Sequence, residues 1–114
     1  MYDLEERTYL FAKRVRDFVK LLPRTISNAE DVKQLVRASG SIGSNYYIEA
    51  NEALGKKDFL MQLKSSRKES KGSRFYLRLV DTGSDTSVEA ERMVLVQEST
   101  ELMLIFGSMI RKSG

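Results

Sequence analysis

Apolar residues near the start of the chain, Leu4, Phe11, Val15, Phe18 and Leu22, recur at spacings of three, four and seven, which places them on one face of an α-helix. The pattern predicts a first helix over about 3–22. Asp3 is positioned to cap it, with Glu6 three residues on completing a capping box, and Pro23 ends it because the residue before proline avoids the α region. A second helix, over about 28–54, is predicted from inward positions Val32, Leu35, Val36, Ile42, Tyr46, Ala50 and Ala53, with Ser27 or Asn28 as its cap and Gly55 as a left-handed stop. Phe59, Leu63, Ser66, Ser70, Ser73, Leu77 and Val80 line one face of a third helix over about 56–80. The DTGSDTS segment reads as a turn, since Ser, Thr and Asp side chains compete with helical hydrogen bonds. A fourth helix is predicted over about 86–111.

No segment alternates with the period of a strand, so the expected fold is all-α. Long helices joined by short turns favour antiparallel neighbours, hence an up-down-up-down four-helix bundle as a single domain over 1–114. The fourth helix carries two heptad stripes: Val88, Leu95, Leu102 and Met109, and beside them Val96, Met103 and Ile110, widened by Leu104, Ile105 and Phe106. One bundle face needs only the first stripe. Val96, Met103, Phe106 and Ile110 are therefore expected to form an oligomer interface, the alternative being a wide core face.

The 114 residues suit one domain, and 41% hydrophobic with 31% charged composition is that of a chain that folds. No apolar run is expected to approach the roughly 20 residues that span a bilayer. The opening MYDLEERTYLF is acidic where a signal peptide would be basic, so a cytoplasmic location and no membrane partner are expected. Absence of cysteine and histidine removes thiolate nucleophiles, imidazole bases, disulfides and the commonest zinc ligands together. No metal, cofactor or catalytic residue is expected, and no enzyme.

Helix 2 contains RASGSIGSN at 37–45, whose Gly40 and Gly43 each cost about 1 kcal/mol relative to alanine inside a helix. A phosphate cradle is one reading, but the lysine and preceding strand of a P-loop are missing. Close approach of helices 2 and 3 is the better one, with Ser41, Gly43, Asn45 and Glu49 meeting Ser66 and Ser70. Glu49 or Glu52 paired with Arg67, Lys71 or Arg74 would fix the register of that contact.

The net charge is only +3, but its distribution is uneven. Between Lys56 and Val80 the chain carries +6, and from Asp81 to Leu104 it carries −5. Lys56, Lys57, Lys64, Arg67, Lys68, Lys71, Arg74 and Arg78 supply the excess, with Phe75 and Tyr76 interleaved where a base could stack. The competing reading is a solvated face neutralised by acidic helix 4.

Residues 37–80 resemble the four-helix-bundle proteins encoded by intervening sequences of bacterial 23S ribosomal RNA genes, also called S23 ribosomal proteins. The resemblance is carried by SGSIGSN with Ser41, Ile42 and Asn45, by Glu49 and Ala50, by the KKDF of Lys56 to Phe59, and by the RKES of Arg67 to Ser70. Helix 1, with Tyr9, Lys13 and Phe18, and the apolar fourth helix match more loosely. That family is similar to the accessory protein of diversity-generating retroelements, a pentameric barrel that binds nucleic acid and associates with a reverse transcriptase. The resemblance implies a homopentamer and a basic nucleic-acid surface at Lys56, Lys57, Arg67, Lys68 and Lys71. It settles no activity for most of its members.

Related sequences read NYxEA where this chain reads NYYIEA, one residue longer. An inserted residue rotates everything beyond it by about 100° unless the helix widens locally, so a π-bulge or kink is predicted near Tyr46 to Ile48. The leading functional expectation is a non-catalytic oligomer that binds RNA or DNA backbone with little base specificity through helix 3. A scaffold that docks a partner enzyme such as a reverse transcriptase is the alternative.

Overall fold

The computed structural model describes residues 3–113, which form four helices and, among those residues, no strand. They are α1 (Leu4–Val19), α2 (Ile26–Gly43) continued by a π-helical segment (Ser44–Ala50), α3 (Lys56–Leu79) and α4 (Thr86–Ser113). Each packs on its neighbours in sequence, and α1 closes against α4. Cross-helix partners run in opposite directions: Arg7 with Glu98 and Arg14 with Glu91, Arg37 with Glu69 and Asn28 with Asp81. This is the expected antiparallel order.

The predicted inward faces form the core. Phe11, Val15, Phe18 and Leu22 of the first segment meet Leu35 and Ile42, Leu63 and Leu77, and Val88, Leu95, Leu102 and Phe106. On α3 three core positions are serines, Ser66, Ser70 and Ser73, all fully buried. Two of their hydroxyls turn back onto backbone carbonyls, Ser66 to Ile42 of α2 at 3.0 Å and Ser70 to Ser66 at 2.9 Å. Small side chains thus let α3 approach α2 closely without leaving those two polar groups unpaired.

The π segment falls where the extra residue predicted it. In an α-helix, residues four apart drift by about 40° around the axis. A wider turn offsets that drift, so Ile42, Tyr46 and Ala50 stay on the core side while Tyr47, Ile48 and Glu49 are exposed. Tyr46 meets the fully buried ring of Phe106 edge-on, with centroids 5.7 Å apart.

Several boundaries differ from expectation. Asp3 caps α1 as predicted, accepting from Glu6 N at 2.8 Å, but α1 ends at Val19 and its chain turns before Pro23. Thr25, not Ser27 or Asn28, caps α2 by accepting from Asn28 N at 3.1 Å. Gly55 is fully extended at φ 167° and precedes α3, so it is no left-handed stop. Among the described residues the left-handed ones are Gly83 (φ 70°) and Ser84 (φ 63°), in the α3–α4 turn. Gly43 faces α1 rather than α3, because a β-carbon there would lie 2.8 Å from Thr8 Oγ1.

Phe106 was expected at an oligomer interface. It is fully buried within the protomer, because it stands four residues after Leu102 and continues the core stripe. Val96 and Ile110 are likewise half-buried against the core, and Met103 is half-buried. The large apolar residues that α4 exposes are Met93 at 59%, Val94 and Leu104 at 61%. By length and composition alone α4 is apolar enough to cross a membrane, with an 18-residue window of mean hydropathy 1.3, although no unbroken apolar run in it approaches 20 residues. Polar residues interrupt the stretch and hide it from such a count.

Asn28 ties one end of the bundle together. Its side-chain amide donates to Pro23 O and Asp81 O, and its Oδ1 accepts from Asp81 N, all at 2.9 Å. Both turns at that end thereby share one buried side chain. Asn28→Ala would leave those backbone groups unpaired and is expected to cost about 2–4 kcal/mol, read from the urea midpoint at unchanged helical content. Ser27→Ala, at an exposed neighbour, is expected to cost under about 0.5 kcal/mol.

Candidate nucleic-acid interface

The burial of Leu63, Ser66, Ser70, Ser73 and Leu77 fixes the rotation of α3. At about 100° per residue, Lys56, Lys57, Lys64, Arg67, Lys68, Lys71, Arg74 and Arg78 then all fall within an arc of about 120°, running for roughly 33 Å. Seven of the eight are exposed and Arg74 is half-buried. The stripe inferred from the sequence is a single continuous face.

Among the described residues, none of the eight forms an ion pair. The acidic residues of α4 are engaged elsewhere. Glu98 receives Arg7 of α1 through two hydrogen bonds of 2.7 and 2.8 Å, and the same guanidinium reaches Glu101 at 2.8 Å. Glu91 receives Arg14 in the same forked manner at 2.6 and 2.8 Å. Glu89 binds Arg92, which also donates to Val80 O at 2.5 Å and so fastens the end of α3. The two carboxylates of α3 are also occupied, Glu69 by Arg37 at 3.3 Å and Asp58 by Leu54 N at 3.2 Å. Among the described residues, no carboxylate of α4 pairs with the α3 stripe.

The expected register pairs of Glu49 or Glu52 with Arg67, Lys71 or Arg74 do not form. Both glutamates are exposed, Glu49 in the π segment and Glu52 just beyond it, and the α2–α3 ion pair is Arg37 with Glu69, of opposite polarity. Of the residues assigned to that contact, Ser66 and Ser70 occupy it. Ser41 donates to Arg37 O of its own helix, Asn45 is half-buried in the π segment and Gly43 meets α1.

Two basic residues escaped the sequence reading. Arg111 and Lys112 lie in the last turn of α4, both exposed. A side chain at Gly107 would begin 3.4 Å from Arg111 Nη1 and 3.8 Å from Arg67 Cδ, so the two arginines cover the buried Gly107 from either side of the α3–α4 seam. The signal lay in topology, since antiparallel packing sets the end of α4 beside the first half of α3. Phe75 stands within the basic arc and is 57% exposed, while the adjacent Tyr76 is half-buried and meets its ring at 5.1 Å, nearly perpendicular.

Hydrogen bonding also marks the acidic side. The hydroxyl of Ser87, with the Val88 and Ser87 backbone amides, holds the Asp85 carboxyl below its ordinary value. Arg92, then Thr82, lowers Glu89, and Gln97, then Arg7, lowers Glu101. On Arg7 the bond to Glu98 outweighs desolvation and raises the guanidinium further.

An all-helical antiparallel four-helix bundle with one basic, unneutralised face is therefore the class of protein described. No family model matches the chain, and neither does any curated protein. Among solved structures it is similar to a protein of unknown function from the S23 ribosomal protein family of Bacteroides thetaiotaomicron. The TM-score is 0.77 at 24% identity, over 95% of this chain and 98% of that one. The chain thus has the fold of a member of the family that its residues 37–80 resemble.

Lowered carboxyl values stabilise the fold above the ordinary carboxylate range of about 4 and lose that contribution as pH falls through them. Stability to urea is expected to drop as pH falls from about 5 to about 3, through that range. Asp85→Asn keeps a capping side chain but removes the titration, so its urea midpoint should fall less over the same interval.

Proposed function

We propose that this protein is a non-catalytic, oligomeric nucleic-acid-binding protein, whose α3 face, extended by Arg111 of α4, holds the phosphate backbone of RNA or DNA with little base specificity. The observation that carries the reading is the absence, among the described residues, of any carboxylate partner for the eight basic residues of that face. Lysines and arginines that bind no internal carboxylate can exchange condensed counterions for phosphates, which is the main source of sequence-independent affinity. No reacting group is required.

The oligomer we propose is a homopentamer, five being the number implied by the family resemblance. Its support within this chain is apolar: Met93, Val94 and Leu104 are exposed along α4. Assembly would bury them and repeat the basic face, raising affinity through simultaneous contacts. Size-exclusion chromatography with light scattering should give five protomers, and Leu104→Glu with Met93→Glu should give a folded monomer. A wild-type monomer would remove this part of the reading.

Binding is tested with labelled RNA and DNA at several salt concentrations. With about five phosphate contacts per protomer, log K should fall against log salt with a slope near −3.5 on single strands. Arg67→Glu, Lys68→Glu and Lys71→Glu combined should abolish binding while leaving the oligomer intact. Failure of the unaltered protein to bind at low salt would overturn the proposal and turn attention to an acidic partner protein.

A further inference from the structure

We propose that the basic face is specific for single-stranded nucleic acid, with Phe75 as a platform on which one unpaired base stacks; this rests on the nucleic-acid reading above. The observation is the position of the ring. Phe75 is 57% exposed, yet stands inside the arc of positive charge, four residues after Lys71 and three before Arg78. Side chains three and four apart on a helix are neighbours, about 5–6 Å between β-carbons. A phosphate at Lys71 and another at Arg78 would therefore bracket a base laid on the ring.

The ring is also supported. Tyr76, half-buried against the core, meets Phe75 nearly perpendicular at 5.1 Å, which restrains its orientation. Among the described residues the cation found over an aromatic ring is Lys13 over Tyr9, so Phe75 is not covered by one of its own basic neighbours. An aromatic platform set among phosphate-binding cations is the combination by which single strands are held regardless of sequence.

Shape argues against a duplex. Arg67 and Arg111 meet over Gly107 from adjacent helices, so at that level the face is two helices wide. Two helices side by side span about 20 Å with their side chains, too broad to enter a major groove about 12 Å wide. A duplex would touch this face through its phosphates and offer no free base to Phe75. A flexible single strand can follow the roughly 33 Å stripe and expose its bases.

The test compares one oligonucleotide sequence as single-stranded RNA, single-stranded DNA and duplex DNA, with unaltered protein and Phe75→Leu, at one salt concentration. The unaltered protein should prefer both single strands over the duplex by roughly tenfold. Phe75→Leu should weaken single-strand binding by a similar factor and leave duplex binding and the salt slope unchanged, while Phe75→Trp restores the preference. Equal or better binding of the duplex, or single-strand binding indifferent to Phe75→Leu, overturns this inference and leaves the backbone-binding proposal standing. A single-strand preference confined to RNA or to DNA also overturns it, since a stacked base and its phosphates are common to both. Loss of all binding in the unaltered protein overturns both.

Discussion

The closure of α1 on α4 by forked arginine–carboxylate pairs is the arrangement from which the charge character of the molecule follows. Arg7 and Arg14 take Glu98, Glu101 and Glu91. Such partly exposed pairs contribute modestly to stability, since solvent screens them and long side chains lose freedom in forming them. Their larger effect is distributional. By drawing acidic residues of α4 toward α1, they leave the basic face of α3 with no paired carboxylate among the described residues, although the two helices are adjacent.

A second constraint is how closely the helices approach. Serines at core positions of α3 and glycines in α2 let backbones come together, and each small residue is matched to a particular neighbour. Gly43 accommodates Thr8, while Ser66 reaches the carbonyl of Ile42. The π segment belongs to the same economy of space. It absorbs one residue at Ser44–Ala50 and keeps Tyr46 against Phe106, so the core continues to the end of the bundle while Tyr47 and Ile48 turn outward.

Helix number, order and the core faces of α1 and α3 were legible in the sequence, because apolar periodicity reports directly on which side of a helix is buried. The π segment was legible through comparison with a family pattern. What periodicity could not supply was partnership. Three neighbouring residues, Thr25, Ser27 and Asn28, are all competent to cap a helix, and only the fold assigns the cap to Thr25 and buries Asn28. Gly43 announced a close approach without saying to which helix. Phe106 fitted either stripe of α4, and the rotation of that helix decided in favour of the core. At the basic face, the eight residues were visible as a stripe, whereas their lack of carboxylate partners depended on pairs 77 to 94 residues apart in the chain. Arg111 joined them only through the antiparallel return of α4.

The Asn28 clamp makes the two ends of the bundle unequal. At its end, the α1–α2 and α3–α4 turns are fastened through one side chain, and Arg92 adds a further bond to the end of α3. At the other lie the π segment, the extended Gly55 and the last turn of α4. Amide hydrogens near the clamp should exchange with solvent only when the whole molecule opens, whereas those near the π segment can exchange through partial openings of lower free energy. The molecule is then a rod with one fixed end and one breathing end, and the gradient runs along the length of the basic face.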